Sequence, residues 1–503
     1  MVAASRVSSR LRLLPLALAL AVFAFALAIG PWGVSRARGV PPPTGTWQLD
    51  APSAPHAIEA YASERSVARG DVLRVHASTD PAARYRIEIY RIGWYGGAGG
   101  KLVACVPACD SDEQGSSQQL LSPDPSSGEL DARWPITDRV TVGPDWQSGL
   151  YLGKLVLTSG DEAGKSRGFP FVVRAPADTN AAVLVVMPVN TWQAYNDWGG
   201  RSLYTDPDTA VKVSFDRPYA PDDDQVFLDY PIVRFIDQFG YEADYVTDAD
   251  VDADPGQLVR HRLVVVPAHS EYWTKAMRDG FEAARGLGVN LAFLGGNTVY
   301  WQIRYADADR RVLEEYRSAS GDPSPNPRQK TVRWRDDPVR RPECTLVGVQ
   351  WQGGDNSSDP GPHDYRIVAR NLDDPWFQGT GFKAGDSVRG AVGREWDALA
   401  PECSGKTPPV TVLFHYQGRA TPQTPGVYTS TFHSTNADVV RYQAPSGAMV
   451  LAVGSIEFGW SVAGSADGTP VADGVTSPQH PPDVRLQRFL RNAFEAMTRP
   501  RAG

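Results

Sequence analysis

A chain of 503 residues with a formal net charge of −8 and no Lys/Arg block outside its leader lacks the electrostatic footprint of a nucleic-acid binder. That length is too great for one hydrophobic core and implies two or more domains. The 47 Gly, 41 Pro and 14 Trp describe a loop-rich protein with many tight turns, most of its tryptophans buried.

Residues 1–40 stand apart from the fold. Arg6, Arg10 and Arg12 precede the uncharged run "LLPLALALAVFAFALAIGPWGV" at 13–34, which is the basic-then-apolar order of an export signal. Ala24, Ala26 and Ala28 suit a cleavage site, yet the run is also long enough to stay in a bilayer as a signal-anchor helix with its N-terminus inside. Either way the remainder is expected outside the cytoplasm, secreted or held to the cell membrane by this segment alone. "GVPPPTGTW" makes 41–57 a stiff Pro-rich linker. The four cysteines suit an oxidising compartment. The short spacing in "CVPAC" pairs Cys105 with Cys109, leaving Cys344 to pair with Cys403. A metal or redox reading of "CVPAC" lacks a nearby histidine.

From 58 to 176 short strands alternate with turns: "DVLRVHAST", "RYRIEIYRIGWYGG", "LYLGKLVLTS" and "GFPFVVR". This predicts a β-sandwich of immunoglobulin-like type. "RIGWYGGAGGKLV" reads as a hairpin whose glycines take positive φ, or as a surface that packs on the next domain. From 180 to 500 strands alternate with helices. "AAVLVVMP", "EADYVT", "RLVVVPA" and "VNLAFLGG" are the strands. "DYPIVRFIDQFG" is a helix with Ile232, Phe235, Ile236 and Phe239 on one face, and "TKAMRDGFEAARGLG" is one with Met277, Phe281 and Ala284 inward. The pattern predicts an α/β domain with a doubly wound, mostly parallel sheet. The stretch 330–475, with "TVRWRD", "PVTVLFHYQG" and "AMVLAVGSIEFGW", reads as a strand-rich elaboration of it. "DVRLQRFLRNAFEAM" closes the chain as a helix with Leu486, Leu490, Ala493, Phe494 and Met497 inward.

Three of these strands end in polar sequence: "PVNTWQAYNDWGG", "PAHSEYW" and "GGNTVYWQIRY". A parallel sheet gathers its carboxyl ends at one rim, where ligands bind. Tyr195, His269, Glu271 and Asn297 are therefore expected to meet. Glu271 has a second reading, as a first-turn acid of the following helix with Thr274 as its cap. No H-E-x-x-H, Walker loop or G-x-S-x-G occurs, and Ser270 lacks a glycine elbow. Phenol and carboxylate oxygens are hard donors that suit a hard cation such as ferric iron.

The motifs "YRIGWYGGAGG", "VNTWQAYNDWGG", "AHSEYW" and "LGGNTVYWQIRY" resemble, in this order, the C-terminal region of the large subunit of N,N-dimethylformamidase and its relatives. The resemblance implies an α/β domain similar to the class I glutamine amidotransferase-like fold. It also implies a mononuclear iron held by two tyrosines and a glutamate, with a histidine and an asparagine close by. Carried onto this chain, the metal ligands are Glu271, Tyr195 and, some forty residues earlier, Tyr151 in "SGLYLGKL". His269 and Asn297 are the catalytic neighbours, and a small-molecule amide is the substrate. That amidase is intracellular, so the leader departs from it. The sequence leaves room for a homo-oligomer. Two other functions fit the chain: a non-catalytic cell-envelope protein binding a glycan or another protein, and a carbohydrate-active enzyme pairing Glu271 with Glu457 in "GSIEFGW".

Overall fold

The computed structural model describes residues 43–500 apart from 177, 180, 222–223, 356–360, 419–435, 465–469, 473–474 and 477–480. The apolar run 13–34 lies outside these residues. Among them no helix is long and apolar enough to cross a membrane.

Two sheets make up the N-terminal part. One joins Glu59–Ala62, Val72–Ser78 and Asp138–Thr141. The other runs in the order Ser66–Ala68, Ser166–Arg174, Gly149–Leu157, Arg84–Ile92, Gly100–Val106. Leu73 and Val75 of the first share one buried cluster with Ile87, Ile89, Tyr151 and Phe171 of the second. Residues alternate sides along a strand, and Gly149–Leu157 shows the consequence. Tyr151 and Leu155 enter this cluster, while Leu150 and Leu152 join the core of the following α/β part. The glycine-rich turn serves both roles foreseen for it. Gly96, Gly97 and Gly99 have φ of 68°, 104° and 80°, and the Trp94 N–H donates to Asp237 Oδ2 of the helix Tyr230–Gln238 at 2.6 Å. Both expected disulfides, Cys105–Cys109 and Cys344–Cys403, are formed.

The α/β part is built on one nine-stranded sheet. Ala243–Thr247, Val183–Met187, Leu263–Ala268, Asn290–Gly295 and Met449–Ala452 lie side by side in that order, all parallel. Ala437–Gln443, Thr411–Tyr416, His363–Ile367 and Ser387–Val392 extend the edge, each antiparallel to its neighbour. The sheet is thus mixed, not mostly parallel. The added strands come from the elaboration at 330–475, where a tight turn joins Ala437–Gln443 directly to Met449–Ala452. A parallel neighbour would need a crossover of a dozen or more residues. "TVRWRD" is not a strand but a run of turns, touching a strand through the single bridge Trp301↔Arg333.

Both faces of the parallel half are covered. Val183, Val185, Leu263 and Val265 point to one side, with the helices Tyr230–Gln238, Phe458–Ala463 and Val484–Thr498. Leu184, Val186, Val264 and Val266 point to the other, against Met277, Phe281 and Ala284 of the helix Lys275–Gly286. Each such buried Leu, Val, Met or Phe side chain contributes about 1.5–3 kcal/mol. A strap at 115–137 leaves the sandwich and lies on the α/β part: Ser127 O accepts from Val211 N at 2.8 Å, Ala132 N donates to Asp216 O at 2.8 Å, and Trp134 meets Trp198 edge-on at 5.8 Å. Gly128 is so close to Ala210 that a Cβ there would lie 2.8 Å from the Ala210 Cα.

Candidate metal centre

Adjacent parallel strands, Leu263–Ala268 and Asn290–Gly295, stop together and turn sharply. Ala268 has φ of 23°, Asn297 of 49° and Val299 of 61°. Positive φ in a β-branched residue is strained, and such strain persists where the surroundings over-determine it. The two glycines before Asn297 are required by crowding. A Cβ on Gly295 would fall 1.5 Å from Ala268 O, and one on Gly296 would fall 2.6 Å from Glu395 O. Between these turns Glu271 is fixed by its backbone: its N–H donates to Thr191 Oγ1 at 3.0 Å, and its carbonyl accepts from Tyr300 N and Trp301 N. The helix begins only at Lys275, and Thr274 caps it by accepting from Met277 N at 3.2 Å. Glu271 is therefore not part of the cap.

Its carboxylate, itself buried, is instead the centre of a cluster that reaches the surface at Tyr204. Tyr195 Oη donates to Glu271 Oε2 at 2.8 Å, and Tyr204 Oη lies 3.0 and 3.1 Å from its two oxygens. The two phenol rings stack with centroids 4.2 Å apart. His269 Nδ1 is 2.8 Å from Gln225 Oε1, which can only accept, so Nδ1 carries the proton. Nε2 then faces Glu271 Oε2 at 3.4 Å and Glu395 Oε2 at 3.2 Å. Asn297 Nδ2 donates to Glu395 Oε2 at 2.8 Å, and its backbone N–H donates to the buried Asp397. Ligand atoms of His269, Glu271 and Glu395 all lie within 4.8 Å of one another.

The cluster holds an excess of negative charge. Burial raises both phenols well above their ordinary range, and the Glu271 charge raises them further, so without a cation they stay protonated. Burial opposes a charged His269, but Glu271 and Glu395 outweigh it and push the imidazole up to about 10. The Asp397 carboxyl is pushed up by burial to about 7, against the backbone N–H of Asn297. Two carboxylates this close, both beside one imidazole, call for a positive charge between them.

The structure brings Tyr195, His269, Glu271 and Asn297 together. Tyr151 it does not. Strand alternation turns Tyr151 into the sandwich core, where its hydroxyl donates to Gln147 O at 2.7 Å and its ring stacks on Trp146. The second phenol at Glu271 is Tyr204, from an irregular turn pinned by Ser202 Oγ. Glu395 was likewise missed, and it comes from the two-stranded sheet Gln350–Gly354/Glu395–Ala398. Glu457 is committed to Arg394, whose Nε donates to it at 2.8 Å. No helical or strand period marked Tyr204 or Glu395, although Tyr204 lies in the irregular stretch that follows the helix Val189–Tyr195.

The donor set fits a hard cation. Two phenols and a carboxylate converge on one point, and one buried acceptor at its edge, Asn297 Oδ1, has no hydrogen-bond partner. A metal could be held here. A profile of N,N-dimethylformamidase beta subunit-like proteins, C-terminal, matches residues 86–471. No curated protein matches the chain.

Proposed function

This chain belongs to the N,N-dimethylformamidase beta subunit-like family through its C-terminal region, and from that premise we propose that it is an exported, iron-dependent hydrolase of a small-molecule amide. The observation that carries the reading is the convergence of Tyr195, Tyr204 and Glu271 beside His269 and Glu395. Glu271, Tyr195 and Tyr204 would hold a single ferric ion, a hard ion for hard donors. Such an ion supplies Lewis acidity for the amide carbonyl and for the attacking water. His269, its Nδ1–H kept in place by Gln225 and its charge favoured by Glu271 and Glu395, gives the Nε2 proton to the leaving amine and recovers one from the water that has attacked the carbonyl. Asn297 has spent one donor on Glu395, and what it offers the substrate is its unpartnered Oδ1, an acceptor for an amide N–H. We read the two-sheet part as immunoglobulin-like and the α/β part as glutamine amidotransferase-like. We read the leader, cleaved or kept as an anchor, as an export signal that would put both outside the cytoplasm.

Elemental analysis of the purified protein tests this. Near-stoichiometric iron, with amine released from simple amides such as dimethylformamide, is the expected result. Glu271→Gln keeps size and an acceptor but removes the charge, and should lose most of the iron and the hydrolysis with the fold intact. Tyr195→Phe and Tyr204→Phe should each weaken the iron and remove part of its phenolate colour. If both tyrosine variants keep full iron while His269→Ala loses it, the ion belongs to the His269–Glu271–Glu395 group instead. A folded wild type that takes up no metal would replace the hydrolase with a non-catalytic envelope binding protein.

A further inference from the structure

Behind Tyr204 stands a second row of groups. Arg317 Nη2 donates to Tyr272 Oη at 2.9 Å, and Tyr272 Oη donates to Tyr204 Oη. The guanidinium also lies 4.4 Å from the Tyr204 ring centroid and 5.1 Å from that of Trp301. Arg317 is in turn held by Glu315, a buried carboxylate that accepts from its Nε at 3.0 Å, and its backbone has the uncommon φ of 53°. A guanidinium can only donate. Tyr272, receiving that bond, has its single proton directed at Tyr204, and Tyr204 has its own directed at Glu271. The row therefore runs one way, from Arg317 to Glu271. Tyr195 donates to the same carboxylate at 2.8 Å, but the row reaches it only through Glu271.

Resting on the reading of Glu271, Tyr195 and Tyr204 as the ligand set, we infer that Arg317 and Tyr272 are positioning residues that clamp Tyr204 and hydrogen-bond its oxygen, so that the two tyrosines serve one ion unequally. A phenolate oxygen that accepts a hydrogen bond backed by a guanidinium is the weaker electron donor of the pair. Groups of this kind behind a ligand typically change metal affinity 10–100-fold, roughly.

The test uses the full chain loaded with ferric iron and reads its phenolate-to-iron absorption band and its iron affinity. Tyr272→Phe should weaken iron by about 10–100-fold and move the band to longer wavelength, because Tyr204 becomes a better donor. Arg317→Gln should move the band the same way, and Arg317→Lys, which keeps a donor, should move it less. The shift caused by Tyr272→Phe should persist in a Tyr195→Phe background and vanish in a Tyr204→Phe background. Wild-type affinity and an unmoved band in both Tyr272→Phe and Arg317→Gln overturn the clamp alone. A wild type without any phenolate band overturns the ligand reading beneath it. Should Tyr272→Phe fail to fold, the part-exposed Arg317 and its two substitutions carry the same comparison.

Discussion

His269 stands with one nitrogen held by Gln225 and the other turned to two carboxylates, which suits an imidazole that moves protons more than one that only fills space. His269→Ala is expected to leave iron content near wild type and to lower kcat by about 10²–10⁴-fold. Metal analysis alongside steady-state kinetics checks both halves, and equal loss of iron and rate would make His269 a ligand. Glu271→Gln should cost about 1.5–3 kcal/mol of folding stability in the metal-free protein, because a buried carboxylate loses charge-assisted hydrogen bonds from Tyr195 and Tyr204. Tyr195, His269, Glu271 and Asn297 were legible in the sequence because each follows a strand, and parallel strands deliver their ends to one rim. Tyr204, Glu395 and Arg317 were not. They arrive on turns and on a two-stranded ribbon whose placement depends on long-range packing, and no local period announces that. Tyr151 failed for a simple reason: a residue one place along a strand faces the other side, and counting back from Tyr195 does not say which.

At the scale of elements, amphipathic stripes were the dependable signal. Met277, Phe281 and Ala284 are fully buried, as are Leu486, Leu490, Ala493, Phe494 and Met497 of the last helix. The first of these helices carries the cap its sequence offered, Thr274, and in the structure Asp483 caps the last. Thr274→Ala should cost about 1 kcal/mol in a urea titration while leaving iron binding unchanged, which separates the cap from the adjacent site. Gly295→Ala should behave in the opposite manner. Its methyl would meet the Ala268 carbonyl, a backbone atom that cannot swing aside, so a loss of ~3 kcal/mol or more is expected together with loss of metal. Strand direction was the weaker inference. Buried runs in 330–475 look alike whether they pair parallel or antiparallel, and the short turn before Met449 decides the matter only once the pairing is seen.

For the molecule as a whole, buried carboxyls set the response to pH. Burial pushes Asp229 up to about 8, against the Trp192 indole N–H, and burial pushes Glu315 up to about 7, against Arg317. Each binds a proton more tightly folded than unfolded. Their contribution is complete below the ordinary carboxylate range and is lost as pH climbs through 7 and 8. Asp322 works the other way: hydrogen bonds from Arg304 and Thr331 outweigh its burial and hold it at about 2, so its contribution is lost as pH falls from 4 toward 2. The thermal midpoint should therefore rise as pH drops from 8 to about 5 and fall below 4. Asp229→Asn should flatten the upper limb. A midpoint that instead increased steadily from pH 5 to 8 would rule this out.

The strap at 115–137 bears on how such a protein can be inherited. The turn that carries Tyr204 leads into Ala210 and Val211, and those residues rest on Gly128 and Ser127 of the other half. A chain shortened to begin at Val183 would keep Glu271 and Tyr195 but lose the support beneath Tyr204. Recombination that traded one sandwich for another would break the same support unless the strap came with it. The two halves are thus joined at the support of this one turn, and the strap belongs to both of them.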